Sequence, residues 1–383
     1  MAPPNEAPAA IGAGGLNMEQ LAEIVDEAGS GRLDPKSVAV SEVDYAFGTP
    51  ATAGLRRFHG TDADGCPWSL FCKIIQHPRH STFLTRLPAE AAANLISHYP
   101  WRQELDLWDP EFRATMPAGI RPPRLYRVVE MGDDRLALWM EDVPCVSTPW
   151  DLPRYATAAR VLGRWNQRAR DADLLASTGR PPHFPLRVFA QNALRARGLA
   201  PLADDELWNH PWLRTHAELR HALQALAPRL VELVDRLDAM PLCRPHGDAC
   251  PQNLLVPADE PGTFFIPIDV SQQAPTALGC ELGQLAVGLI HADVMPPAAL
   301  PGIIRTILPA YITGLRQEGY VDEREHFERA MWTSLLIRSG FDSLRYDLLS
   351  SEATDVKASA FASRVELTYH IVSGAAGSLM QAE

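Results

Sequence analysis

Apolar residues at Met18, Leu21, Ile24 and Val25 recur at helical spacing and predict an amphipathic helix over 17–28. From residue 37 the texture changes to short extended runs over 38–43, 54–59 and 68–75, the last two separated by the turn-forming Asp62-Ala63-Asp64-Gly65. That alternation predicts a hairpin or meander. Helical stretches follow over 89–97 and 101–108, then two more alternating runs, one opening at Pro122-Pro123 and one over 136–140. The first 140 residues therefore read as a mainly antiparallel sheet with a helix or two.

After Glu141-Asp142-Val143-Pro144 the pattern turns helical. The stretch 154–170 puts Tyr155, Ala158, Val161, Leu162 and Trp165 on one side, and 216–237 repeats Leu219, Leu223, Leu226, Leu230, Leu233 and Leu237, with Pro228 set to kink or divide it. Between them, 178–212 is rich in Pro and Arg, has no long period, and predicts an insertion that covers a pocket. Further helices are expected over 282–314, 323–338 and 357–379, and no internal repeat is visible. The fold class is α+β: a disordered tail (1–16), an N-lobe with a small antiparallel β-sheet (17–140), a hinge (141–146) and a larger helical C-lobe (147–383).

Composition narrows the partners. The 383 residues carry a formal net charge of -12, and no basic stripe interrupts it, which argues against nucleic acid. The six cysteines show neither C-x-x-C pairs nor zinc-like spacing with histidine, as reduced cytoplasmic thiols do. The first residues lack the pattern of a signal peptide, and the best apolar run, 282–290, is short and contains Gln284, so no membrane span is expected. The expected setting is the cytoplasm; nothing in the pattern sets the oligomeric state.

Candidate chemistry concentrates in His246-Gly247-Asp248-Ala249-Cys250-Pro251-Gln252-Asn253, followed by Asp269 sixteen positions after Asn253. An Asp and an Asn five positions apart on one tight loop put a carboxylate beside an acceptor hydroxyl and an amide oxygen on a metal ion. Asp269 ends the apolar run Phe264-Phe265-Ile266-Pro267-Ile268, and a hairpin would bring it to the same metal. The plainer alternative is an Asp-capped turn at each place. Lys73, in Leu70-Phe71-Cys72-Lys73-Ile74-Ile75, suits phosphates and a carboxylate partner, or else a solvated strand edge. Glu104 is the preferred partner, with Glu90 the competitor. His210, His216 and His221 scatter around a helix and read as surface or capping residues, and Cys250 reads as a neutral filler.

Together these residues resemble the aminoglycoside phosphotransferase and choline kinase family, small-molecule kinases of the bilobal protein-kinase-like fold, from about residue 43 to about residue 285. The most specific part is H-G-D-x-x-x-x-N, with His246-Gly247-Asp248 and Asn253 in register. The resemblance implies Asp248 as catalytic base, Asn253 and Asp269 as Mg²⁺ ligands, and Lys73, oriented by Glu104, on the nucleotide phosphates. It also implies that backbone groups near Glu141 and Val143 hold adenine, and it matches Gly163 to a recurrent helix position. The donor would be ATP, with GTP the alternative.

The chain departs from the family at three places. The loop Gly48-Thr49-Pro50-Ala51-Thr52-Ala53-Gly54 is not G-x-G-x-x-G, although small residues, Gly48 and Thr52 among them, still admit phosphate to the backbone. Thr276 stands where Gly is frequent, and Glu281-Leu282 where Asp-Leu is frequent, twelve positions after Asp269. The implied activity is transfer of the γ-phosphate of ATP to a small-molecule hydroxyl. The acceptor is expected to be an antibiotic (aminoglycoside, nucleoside or peptide type), with an amino sugar or choline-like alcohol as the alternative. A nucleotide-binding pseudokinase is the reading of another class. Asp342 and Asp347 are the residues expected to meet an acceptor amine.

Overall fold

Five antiparallel strands in the order β1-β2-β3-β5-β4 organise the first part of the chain: β1 (Ala39–Glu42), β2 (Thr52–Thr61), β3 (Pro67–Gln76), β4 (Leu125–Gly132) and β5 (Arg135–Glu141). They are seen in a computed structural model that describes residues 11–12, 14–44, 49–86, 89–146, 149–270, 272–321, 324–349 and 354–379. The chain divides into two compact units. The first holds the described residues up to Asp109 with Pro122–Cys145 and Pro257–Asp259; the second holds Pro110–Arg121, Val146–Val256 and the rest from Glu260.

In the first unit the β2–β3 turn is tied by Asp62, whose Oδ1 accepts from the backbone N–H groups of Asp64 and Cys66. The β4–β5 hairpin turns on Asp133 and Asp134, both at positive φ (49° and 52°), as a two-residue turn matched to strand twist requires. Strand alternation then gives the sheet two apolar faces. One buries Phe58, Trp68, Leu70, Cys72 and Trp139 with Leu21, Ile24 and Val25 of α1 (Met18–Glu27). The other carries Ile75, Leu136, Leu138 and Met140 against Trp101, Leu105 and Trp108. Lys73 lies opposite Leu138 in the register and so belongs to this second face.

Two expectations about this unit are corrected. Ile11 is buried, and the Gly14 carbonyl accepts from Trp139 Nε1 at 2.9 Å, so ordered chain begins before residue 16; residues 1–10 lie outside the described ones. Buried apolar side chains at Ile11 and Leu16 explain the difference. Glu104 sits on a 3₁₀ turn, Gln103–Trp108, rather than on an α-helix. That turn begins right after Pro100, whose carbonyl accepts from Gln103 N–H, and is separate from α2 (Ala89–His98).

The second unit is helical. Its first long helix, α3 (Leu152–Arg168), is capped by the Asp151 side chain. The insertion expected over 178–212 is largely helical: α4 (Phe184–Phe189) runs into a π-helical stretch, Ala190–Leu199, and a last turn, Ala200–Ala203. A π stretch spaces its buried residues more widely than an α-helix, which hid the period from the sequence. Pro228 divides the next apolar run into α5 (Ala217–Leu226) and α6 (Leu230–Leu237), as expected. Short ladders β6 (Leu242–Cys243) with β9 (Thr276–Ala277), and β7 (Leu254–Leu255) with β8 (Ile266–Pro267), lead into α7 (Leu282–His291).

α8 (Leu300–Gln317), α9 (Arg324–Leu335) and α10 (Asp355–Leu379) complete the core. Pro297–Gln317 is long and apolar enough to cross a membrane, which the sequence reading missed; half of its apolar window is buried within this unit. It crosses α3 at two glycines. A Cβ on Gly163 would lie 2.2 Å from the Tyr311 carbonyl oxygen, and one on Gly314 2.0 Å from that of Arg160. Both obstacles are backbone, so neither can rotate away. Gly314→Ala is therefore expected to destabilise the protein by about 3 kcal/mol or more in urea unfolding. Gly377→Ala, in a helix with open space around it, should leave stability equal or slightly raised.

Candidate active site

Within the first unit, Lys73 Nζ and a Glu104 carboxylate oxygen stand 2.5 Å apart, with side chains 11% and 7% exposed. Strand register explains the meeting, since the face that carries Lys73 is the face on which the 3₁₀ turn packs. Thr52 opens β2, is buried, and lies opposite Ile75. Gly48 lies outside the described residues. At the end of β5 the Glu141 N–H donates to the Arg124 carbonyl, and the Glu141 carboxylate accepts from the Arg124 N–H, each at 2.9 Å. Cys145 Sγ donates to the Val143 carbonyl at 3.3 Å. The amide of Glu141 is thus already spoken for within the unit.

Within the second unit the loop from His246 to Asn253 folds back on itself. The Asp248 carbonyl accepts from the Cys250 N–H at 2.8 Å and from Asn253 Nδ2 at 3.0 Å, and the Asn253 N–H donates to the Cys250 carbonyl at 2.9 Å. Pro251 pre-sets the 3₁₀ turn Pro251–Asn253. Pairing of β7 with β8 then carries the returning strand past the loop, where the Ile268 N–H donates to the Asn253 carbonyl at 3.0 Å. Asp269 follows at φ 59°, a left-handed conformation uncommon outside glycine and frequent at functional sites. Gly247, at φ 92°, has Gln272 backbone 2.7 Å from where a Cβ would be, so no other residue fits.

Electrostatics follow from this crowding. Burial raises the Asp248 carboxyl to about 6; the Arg338 charge opposes the shift and the Asp269 charge adds to it. Burial also drives His246 down to about 4, so its ring is neutral and its Nδ1 faces the Asp248 N–H at 3.3 Å. Cys250 is pushed up to about 12, first by burial and then by Asp248, and stays a thiol. Asn253 turns its Nδ2 toward Asp248, which leaves Oδ1 as the atom that could meet a cation. A carboxamide oxygen and the Asp269 carboxylate are hard donors that suit Mg²⁺, an ion that takes few protein ligands and completes its shell with phosphates and water. Among the described residues no group of three His, Cys, Asp or Glu side chains is placed to hold a metal ion.

Glu281 is the residue whose role the sequence left unassigned. It is buried, takes a hydrogen bond from Asn166 Nδ2 at 2.5 Å, and faces the backbone N–H groups of His246 and Gly247, while its Oε2 completes no bond of ordinary length. Asn166 also reaches the Tyr311 hydroxyl at 3.0 Å, and that hydroxyl accepts from the Gly279 N–H at 3.0 Å. Glu281 therefore ties α3 and α7 to the loop that carries Asp248. Its sequence signals were its place twelve positions after Asp269, where the family resemblance has Asp-Leu, and a carboxylate inside the apolar run Leu278-Gly279-Cys280-Glu281-Leu282.

The acids expected to meet an acceptor amine are already paired within the chain. Asp342 lies 2.6 Å from Arg197 Nη2, and Asp347 lies 2.7 Å from Arg345 Nη2. Both carboxylates are thus engaged by guanidinium groups of this chain, in pairs that are partly open to solvent. His210 and His216 play local parts, His210 Nδ1 accepting from the Trp212 N–H and His216 Nδ1 meeting the Tyr369 hydroxyl.

Burial raises the Glu281 carboxyl from 4.5 to about 7. The folded state then binds its proton more tightly than the unfolded chain, so this contribution is full below about pH 4.5 and is lost as pH rises through about 7. Over that window the loss is on the order of 3 kcal/mol. Urea midpoints should fall between about pH 5 and about pH 8, and Glu281→Gln, which keeps the shape and stays neutral, should flatten the slope. An unchanged slope in that variant would remove Glu281 as its source.

No protein-family model and no curated protein matches the sequence. Solved structures do. A microcompartment-associated aminopropanol kinase aligns with a TM-score of 0.54 at 13% identity, over 94% of this chain and 98% of that one. An amicoumacin kinase in complex with AMP-PNP and Ca²⁺ gives 0.51 at 14%, over 94% and 96%. An aminoglycoside phosphotransferase from Alicyclobacillus acidocaldarius gives 0.51 at 14%, over 92% and 94%. The likeness spans nearly the whole chain in each case, and the fold is that of the aminoglycoside phosphotransferases and small-molecule kinases.

Proposed function

We propose that the chain is an ATP-dependent O-phosphotransferase that moves the γ-phosphate to a hydroxyl of a small molecule, in the cytoplasm where ATP is supplied. The observation that carries this reading is the loop in which Asp248, Asn253 and Asp269 are fixed together by the β7–β8 ladder and by Asn253 Nδ2. In the reaction the acceptor oxygen forms a bond to the γ-phosphorus, the bond from that phosphorus to the bridging oxygen breaks to leave ADP, and the hydroxyl proton passes to Asp248. A carboxyl raised by burial to about 6 is a better proton acceptor than an exposed Asp and is still ionised near neutral pH. Asn253 and Asp269 would hold Mg²⁺, which when bound supplies charge neutralisation to the phosphates. Lys73, held by Glu104, presents an ammonium to the nucleotide phosphates.

The acceptor, in this reading, is an antibiotic or a hydroxylated metabolite. The structural neighbours are named for amicoumacin and aminoglycosides on one side and aminopropanol on the other. Purified protein with Mg²⁺, ATP or GTP and a panel of both kinds of acceptor tests the reading by product mass. Asp248→Asn is expected to lower kcat by roughly a hundredfold to ten-thousandfold while nucleotide binding persists. Undiminished transfer by that variant would remove Asp248 as the base, and nucleotide binding without transfer to any acceptor would mark a pseudokinase.

Within the first unit, Lys73→Met should lower affinity for ATP and leave Glu104 as an unpaired buried charge, costing about 3–5 kcal/mol of stability. The double variant Lys73→Met with Glu104→Leu should recover most of that stability and none of the nucleotide affinity. Thermal shift with and without ATP separates the two effects.

A further inference from the structure

Arg244 stands four positions before Asp248 and Gln273 four positions after Asp269, and their side chains meet. Both are buried, at 3% and 0% exposure. Arg244 Nε and Nη2 donate to Gln273 Oε1 at 3.1 and 3.0 Å, and Gln273 Nε2 donates to the Pro245 carbonyl at 2.9 Å. Further contacts steady each partner. Arg244 Nη1 donates to Ser177 Oγ at 3.0 Å, and its guanidinium lies 4.5 Å from the centre of the Phe112 ring. Arg180 Nη1 donates to the Gln273 carbonyl at 3.1 Å.

This clamp closes a ring around the two aspartates. On one side the β7–β8 ladder joins the chain after Asp248 to the chain before Asp269. On the other, the chain before Asp248 meets the chain after Asp269 in the β6–β9 ladder, where Cys243 lies opposite Thr276, and Arg244 and Gln273 extend that contact toward the aspartates. The backbone between has little room, since Gln272 crowds Gly247 and Asp269 is left-handed at φ 59°. Held from one side only, such an aspartate would relax toward ordinary backbone angles and its carboxylate would swing with it. A buried guanidinium is also costly to desolvate, so its retention argues for a use beyond stability. Resting on the phosphotransferase reading above, we infer that Arg244 and Gln273 are positioning residues: their bond fixes Asp269 relative to Asp248, so that the carboxylate that would meet Mg²⁺ and the carboxylate that takes the hydroxyl proton keep one separation. They act through Asp269 rather than on the substrates.

Calorimetric titration of the full chain with AMP-PNP, with and without Mg²⁺, tests this. The wild type is expected to bind the nucleotide more tightly when Mg²⁺ is present. Arg244→Met should weaken the Mg²⁺-dependent part of that affinity by roughly tenfold to a hundredfold and leave metal-free binding within about twofold of the wild type. Arg244→Lys, which keeps the charge and part of the donor set, should restore some of the loss. The double variant Arg244→Met with Gln273→Leu removes both buried polar partners, so urea stability should largely return while the Mg²⁺-dependent gain stays lost. A clamp that served stability alone would return both together, and that result overturns the inference. So does a wild-type Mg²⁺ gain in folded Arg244→Met or in the double variant, with the phosphotransferase reading left standing. AMP-PNP affinity of the wild type that ignores Mg²⁺ would overturn the parent reading and the inference with it.

Discussion

The buried carboxyl of Glu281 is the fixed point on which the loop that carries Asp248 depends. It stands at the start of α7, takes its hydrogen bond from Asn166 of α3, and faces the amides of His246 and Gly247. A buried acid left unpaired would be expensive, so the fold must bring donors to it. The nearest supply is the Asn166 amide and the loop backbone, and meeting that demand fixes the loop's position relative to both helices. Tyr311 extends the network to Gly279 and α8, the helix whose approach to α3 requires glycine at 163 and 314. Close helix packing and the position of the Asp248 loop thus depend on the same residues.

The two units carry their chemistry in different physical ways. In the first, Lys73 and Glu104 form an ion pair on an otherwise apolar sheet face. Desolvation consumes most of the Coulomb gain of such a pair, so its retention argues for a use beyond stability. In the second, the chain tolerates a left-handed Asp269 and a Gly247 with no room for a side chain. Strain of this kind persists where the surrounding structure over-determines it, and here the β7–β8 ladder and the Asn253 bonds do so.

Much of this was legible in the sequence where function is written in spacing. Asp248 and Asn253 sit on one turn, so their separation encodes their meeting, and Asp269 returns through the short hairpin their distance implied. Lys73 and Glu104 were legible as a lone cation in an apolar strand and an acid on the segment that covers that strand. What stayed hidden depends on tertiary partners. The position of Glu281 was marked by its spacing from Asp269, but its role was not, because its donors come from Asn166 and from loop backbone. The helix over 184–203 was hidden by its π stretch, and Ile11 by an apparently featureless Ala- and Gly-rich start. Asp342 and Asp347 looked available because a sequence does not show that Arg197 faces the first, and it does not weigh that Arg345, two residues away, claims the second.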